Sequence, residues 1–192
     1  MSGFSPRAAR SLEVARKAFE LLAANEIDSA IIGSIALAVH GYVRATRDLD
    51  LGVAVLTFGV LQRIADALQK DGFEVHVGEP APDDDLGGVV TVAGADFDPV
   101  QIVNLRAPGG RHGKLARDAI ASAQHVRELR LPVVDVPHLV ALKLVAGGRK
   151  DEVDILELLE ANPEIPLDAV IEVCKRYRLG TRLENLLATR DG

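Results

Sequence analysis

Tryptophan is absent from the 192 residues, cysteine and methionine occur once each, and aromatic side chains make up only 4%. A platform of rings stacking successive bases of a single strand therefore has no material here, and neither does an aromatic cage. The interior has to be built from Ala, Val, Leu and Ile. A lone cysteine, Cys174, excludes an internal disulfide. No apolar run approaches the roughly 18 residues that cross a bilayer. The opening segment, residues 1–10, lacks the apolar stretch of a secretory signal. The expected setting is reducing and cytoplasmic, with no membrane partner.

What is present is an ordinary globular composition, 48% hydrophobic and 26% charged, at a length that suits one compact domain with an appendage. The division expected is a core domain over 1–160 and a helical extension over 161–192. Net charge is −6 but unevenly spread. Arg106, Arg111, Lys114, Arg117, Arg127 and Arg130 crowd one segment, Lys175, Arg176, Arg178, Arg182 and Arg190 another, and Asp83, Asp84 and Asp85 lie before both. Such runs are either solvated faces or a local anion-binding surface on an acidic protein.

The pattern along the chain mixes helices and strands. Ser5-Pro6 opens a helix with Leu12, Ala15, Phe19 and Leu22 at helical spacing, ending near Asn25. A strand over Ser29–Ile32 meets Gly33-Ser34 and a brief helix, and a strand over Asp48–Val55 precedes a helix capped by Thr57 and closed at Asp71-Gly72. Phe73–Val77 alternates, with Glu74 and His76 on one face, while Val89–Val92 and Val100–Leu105 read as a hairpin around Gly94–Asp98. Beyond Lys114 the chain is mostly helical, with one short strand over Leu131–Val134, a helix opened by Asp135-Val136-Pro137 and broken at Gly147-Gly148, and further helices to the end. The fold class expected is α/β of the α+β kind, a mixed sheet covered by helices.

One stretch carries chemistry. Gly33-Ser34 at a strand-to-helix turn lets backbone come close to a phosphate, with amides and the Ser34 hydroxyl as donors. Asp48 and Asp50 project to one face of a strand because side chains alternate, with Leu49 and Leu51 packing on the other. Two such carboxylates repel unless a divalent ion lies between them, and magnesium, which takes oxygen ligands and shares phosphate oxygens, suits the pair. Arg44 and Arg47 immediately precede that strand; each is a candidate for holding a triphosphate or for a salt bridge to a neighbouring carboxylate.

The combination of strand, Gly33-Ser34, short helix and a strand bearing Asp48-Leu49-Asp50-Leu51 resembles the nucleotidyltransferase superfamily related to DNA polymerase beta. A second block, Val134 to Leu144 followed by Arg149-Lys150-Asp151 and Asp154-Ile155, is similar to the C-terminal motif of AbiEii-type toxins. The resemblance spans roughly 29–160. It implies a nucleotidyltransferase core fold and an enzyme that moves a nucleoside monophosphate from an NTP to an acceptor hydroxyl, releasing pyrophosphate. It further implies Mg2+ held by Asp48 and Asp50, Lys143 on nucleotide phosphates, and Asp151 or Asp154 beside the nucleotide site. The acceptor implied is RNA, a protein side chain or a small molecule, and a toxin–antitoxin partner is a further implication. The other reading of Lys143 and Asp151 is a surface lysine with a snorkelling stem and a helix-capping carboxylate.

One position departs from the superfamily pattern. Many members carry a third carboxylate on a later strand, and Gln101 falls there; an amide takes no proton at neutral pH and offers metal only a neutral carbonyl. Asp98, an odd number of residues away, faces the other side of a regular strand. Gln101 keeps two rivals open, a nucleotide-binding protein without turnover and an antitoxin-type subunit acting through a protein interface. The five histidines show no metal-ligand spacing, and Cys174 reads as a small buried residue.

Overall fold

The computed structural model describes residues 5–44, 48–80, 86–106 and 112–190. In chain order the elements are α1 (Pro6–Ala24), β1 (Ser29–Ile32), α2 (Gly33–Val39), β2 (Leu49–Val53), α3 (Phe58–Lys70), β3 (Glu74–Gly78), β4 (Val89–Ala93), β5 (Val100–Asn104), α4 (Gly113–Ala121), β6 (Gln124–Val126), β7 (Leu131–Val133), α5 (Val136–Ala146), α6 (Arg149–Ala161), α7 (Leu167–Arg176) and α8 (Gly180–Arg190). The strands form one mixed sheet in the order β3-β4-β5-β2-β1-β7-β6. β2 runs parallel to β5 and antiparallel to β1, and β1 runs parallel to β7.

Local chemistry sets most of the boundaries. Ser5 Oγ accepts from the Ala8 N–H at 3.1 Å and Pro6 occupies the first turn of α1, as the sequence predicts. Asp135 caps α5 in the same way, through the His138 N–H at 2.9 Å. Thr57 stands at the start of α3 without a side-chain cap bond; its carbonyl accepts from Val60 instead. Three differences from the sequence reading concern strands and helix starts. The β2 strand begins at Leu49, so Asp48 lies just outside it; α2 starts at Gly33 with no turn after β1; and β6 pairs antiparallel with β7 although Gln124-His125-Val126 is too short and too polar to announce a strand.

The sheet has two unlike faces. On β2, β5 and β4 the residues Leu51, Val53, Val100, Ile102, Val90 and Val92 are completely buried. Helices α1 and α3 pack on these strands, contributing Leu12, Leu22, Leu61, Ile64 and Leu68 to one apolar cluster. Of the alternate residues of the same strands, Gly52 and Val103 are buried, while Asp50, Gln101, Val89, Thr91 and Ala93 are only half-buried. Apart from His138 and Lys143, α5 is apolar around its whole circumference, and it is enclosed by α4, α6 and α7. Val170, Cys174, Leu179 and Leu183 from the C-terminal helices join the same cluster as the sheet.

Asn104 ties the far ends of β2 and β5 together. Its Oδ1 accepts from the N–H groups of Val55 (3.2 Å) and Arg106 (3.3 Å), and its Nδ2 donates to the carbonyls of Val55 (3.2 Å) and Gly87 (3.4 Å), all at 2% exposure. Replacing it leaves several buried backbone groups without partners, each costing about 1–3 kcal/mol. Asn104→Leu is expected to lower the urea midpoint by the equivalent of about 3 kcal/mol at unchanged m-value. A shift within error of wild type contradicts this account of the strand ends.

Candidate active site

The site lies where β1 ends and β2 begins. Ile32 pairs with Asp50 across β1–β2, and Asp50 pairs with Gln101 across β2–β5. The chain leaves β1 directly into α2 through Gly33, whose φ of +63° is the left-handed region that favours glycine. A Cβ at Gly33 would collide with Asp50 Oδ2 and lie 3.1 Å from its Cγ. The glycine is thus required twice, by its backbone and by the carboxylate pressed against it. Ser34 follows at 3% exposure, its Oγ buried with no hydrogen-bond partner.

Burial, and then the charge of Asp48, push the Asp50 carboxyl up to about 6, against the opposing pull of Arg44 and Lys143. Asp48 and Asp50 therefore act on one another as the alternation predicts, although Asp48 is placed by the loop rather than by the strand. The two cations come from different parts of the chain. Lys143, 8% exposed, is the only charged residue of α5; its Nζ donates to Asp154 Oδ2 at 2.6 Å and to Asp151 Oδ1 at 3.0 Å. Arg44 Nε lies 3.1 Å from Asp154 Oδ1, an ion pair out of line for a hydrogen bond. Asp154, at 1% exposure, is held between the two cations. Asp151 also accepts the Gly148 N–H at 3.2 Å, so it caps α6 and pairs with Lys143 together.

The positions singled out in the sequence thus converge: Gly33, Ser34, Asp48 and Asp50 on one side, Arg44, Lys143, Asp151 and Asp154 on the other. Lys143 is a buried, paired lysine and not a snorkelling surface one. The alternatives for Arg44, phosphate or salt bridge, meet here in a salt bridge with Asp154, and Arg47 lies outside the described residues. The sequence reading missed Thr91, which stands opposite Gln101 on β4 and opposite His76 on β3. Its signal was the single polar residue in Val89-Val90-Thr91-Val92, at a position alternate to the core.

Four cations of the basic segment stand away from the carboxylates. Strand directions put Arg106 beyond the end of β5 remote from Gln101, and Arg127 and Arg130 in the β6–β7 turn, remote from the Asp50 end of the sheet. Arg117 lines a cleft of about 850 Å3 at that same far end, with Ser29, Val55 and Pro132. Arg111 and Asp83 to Asp85 lie outside the described residues.

The donor set suits a hard cation. Asp48 and Asp50 offer carboxylate oxygens, Gln101 an amide oxygen beside Asp50, and no cluster of three or more His, Cys, Asp or Glu side chains fit for a metal exists among the described residues. A protein that supplies only two carboxylates leaves the remaining ligands to water and phosphate, the habit of magnesium.

No protein-family model matches the chain, and no curated protein matches it by sequence. Solved structures do. The antibiotic-resistance factor ANT(2'')-Ia superposes in solution with a TM-score of 0.52 at 12% identity, covering 95% of this chain and 98% of that one. Its crystal structure in complex with adenylyl-2''-tobramycin gives 0.50 at 10%, over 88% and 97%. JHP933 from Helicobacter pylori gives 0.50 at 16%, over 91% and 75%. The architecture is a nucleotidyltransferase fold, a mixed seven-stranded sheet with helices on its faces. Among the described residues no helix is long and apolar enough to cross a membrane.

The raised Asp50 carboxyl has a consequence for stability. Its proton is bound more tightly in the folded than in the unfolded chain, so stability is highest below about pH 4 with respect to this group and falls as pH rises from about 4 to about 6. Asp50→Asn removes that penalty, and without divalent metal the variant is expected to exceed wild type at pH 8 by up to about 3 kcal/mol, converging with it near pH 4. Thermal melts at the two pH values check this; a variant less stable than wild type at pH 8 contradicts it.

Proposed function

We propose that the chain is a magnesium-dependent nucleotidyltransferase that moves a nucleoside monophosphate from an NTP to an acceptor hydroxyl. The observation that carries this reading is the Asp50 carboxylate set against the Cα of Gly33, under the opposing fields of Asp48 on one side and Arg44 and Lys143 on the other. Asp48 and Asp50 would hold Mg2+, which supplies charge neutralisation for the transferring phosphoryl group and orients it for in-line displacement.

The remaining work falls to the protein. Gly33 leaves room for the Asp50 carboxylate at the β1–α2 junction, and the unpartnered Ser34 hydroxyl is a ready donor to a phosphate oxygen. Lys143 and Arg44 lend positive field, and Asp154 keeps both in place. The acceptor oxygen bonds to the α-phosphorus, the bond from that phosphorus to the bridging oxygen breaks with its electron pair leaving on pyrophosphate, and the hydroxyl proton passes to water. Gln101, beside Asp50, orients the hydroxyl by hydrogen bonding and takes no proton. The Lys143–Asp151–Asp154 cluster supports the nearer kinship to AbiEii-type enzymes, with a toxin–antitoxin setting as its corollary.

A second reading, nucleotide binding without turnover, is favoured by Gln101 itself, since the in-register neighbour of Asp50 carries no negative charge. Label transfer from α-labelled NTPs separates the two. Asp48→Asn and Asp50→Asn are each expected to abolish transfer with the fold intact, and unchanged transfer in both sinks the enzyme reading. Gln101→Glu is expected to raise the rate by about 10- to 100-fold if a base beside the acceptor limits it. Nucleotide and magnesium binding with no transfer by either form would favour the binding protein.

A further inference from the structure

The end of the sheet remote from Asp50 carries a cleft of about 850 Å3 that nucleotidyl transfer does not use. It lies where α1 ends and β1 begins, beside the residues that follow β2, and α4 and Pro132 of β7 complete its lining. Phe19, Ile27, Val55 and Ile120 make much of the lining apolar. One buried hydroxyl is set among them. Ser29 is 5% exposed, and its Oγ has no hydrogen-bond partner. Ser29 pairs with Val53 and alternates to the same side of β1 as Ile31, the side on which α1 packs, and Phe19 and Ala23 of α1 line the cleft. A buried hydroxyl without a partner costs stability, and a polar group of a ligand in the cleft would satisfy it.

The cleft also has charges of both signs. Glu26 and Asp28 stand in the α1–β1 turn and Arg117 on α4, all three exposed. Among the described residues none of these three side chains makes an ion pair or a hydrogen bond, with one another or with a neighbour. Asp118 lines the cleft as well, but Lys114 pairs with it and the Tyr177 hydroxyl donates to it at 2.7 Å. Glu26 follows the C-cap of α1 at φ 58°, in the left-handed region that glycine fills most easily, with its own N–H on the Ala23 carbonyl and the Ile27 N–H on the Leu22 carbonyl. A carboxylate therefore stands at the rim of the cleft against the preference of its own backbone.

We propose that this cleft is a second ligand site, for an apolar zwitterion of the amino-acid or short-peptide kind. The carboxylate of the ligand pairs with the Arg117 guanidinium and its ammonium with Glu26 and Asp28. Its remaining polar group meets the Ser29 hydroxyl, and its apolar body covers Phe19, Ile27, Val55 and Ile120. An anion alone would face two carboxylates and a cation alone the guanidinium, whereas a zwitterion answers both. The volume falls toward the upper end of the roughly 300–1,000 Å3 usual for small-molecule sites, which suits a peptide of a few residues better than a single amino acid. Being remote from Asp50, the site stands or falls independently of nucleotidyl transfer.

The full chain is titrated with L-leucine and with leucyl-leucine, followed by calorimetry and by backbone amide chemical shifts. Both are expected to bind, the dipeptide more tightly, with shifts at Ser29, Val55 and Ile120. Acetylating the amine or amidating the carboxylate of the dipeptide is expected to weaken binding about 10-fold in each case. With Arg117→Gln the amidated and free dipeptides are expected to bind alike. Glu26→Gly, which relieves the left-handed backbone, is expected to weaken binding about 10-fold without lowering Tm. Ser29→Ala is expected to raise the Tm of the free protein and to weaken binding about 3-fold, a pair of effects that a packing role does not produce. Binding of either ligand that is lost on capping supports the site, and the tighter of the two identifies the source. No binding of either ligand up to about 10 mM, binding indifferent to both caps, or shifts confined to residues around Asp50 overturns the proposal. Glu26→Gly and Arg117→Gln variants that bind like wild type overturn it as well.

Discussion

Everything at the candidate site depends on one buried carboxylate, Asp154, at 1% exposure between Arg44 and Lys143. A buried ion pair is a poor source of net stability, because stripping water from both partners offsets most of their attraction. Removing one partner is another matter, since it strands a buried charge at a cost of about 3–5 kcal/mol. Asp154 therefore fixes geometry more than it adds stability. It holds a loop residue, Arg44, and a helix residue, Lys143, in one place, and so joins the segment before β2 to the α5–α6 hairpin. Gly147, in the left-handed region at φ 67°, makes the break that lets α6 turn back and present Asp151 and Asp154 to Lys143.

That arrangement explains why the cations do not simply neutralise Asp50. Lys143 is committed to Asp151 and Asp154 and Arg44 to Asp154, at hydrogen-bonding or ion-pair distance, and both reach Asp50 only as a field. Burial and Asp48 outweigh that field, which is why the carboxyl sits near 6 and not below its ordinary value. Direct pairing of Lys143 with Asp50 would have produced a settled salt bridge with no call on a further cation. The compensation at Asp50 is therefore partial, a balance of burial and Asp48 against the more distant fields of Arg44 and Lys143.

Much of this was legible in the residues. Caps at Ser5 and Asp135, the glycine break before α6 and the turn-rich Gly94–Asp98 between β4 and β5 are local signals, and each element they mark is present. Asp48 and Asp50 were visible through spacing, and Gln101 through its register. Lys143 was ambiguous as a single residue, but a lone charge in the apolar run of α5 has to find a buried partner, and that argument points inward. What could not be read was anything that needs strands from distant segments to be ordered. The sequence shows β6 as a polar tripeptide, because its pairing with β7 supplies the stability that Gln124-His125-Val126 lacks. It shows a basic segment over 106–130 but not that strand direction carries Arg106, Arg127 and Arg130 away from Asp50.

Strand order also turns a compositional feature into a functional one. An acidic chain with basic segments invites the thought of nucleic acid, and only the placement of those segments relative to Asp50 tests it. Because β5 runs parallel to β2, the residues after Asn104 emerge at the end of the sheet away from the carboxylates, and Arg106 goes with them. Because β6 and β7 form a hairpin whose turn is at that same end, Arg127 and Arg130 follow. The open face beside Asp50 is left to Gln101, Thr91, His76 and Glu74, whose chemistry is hydrogen bonding and not charge neutralisation. That face is itself divided: toward the far end Gly52 and Val103 are buried, Val103 within the apolar cluster, and only toward the Asp50 end do its side chains turn polar and half-exposed at Gln101 and Thr91, so the packing duty of this face ends where the carboxylates begin.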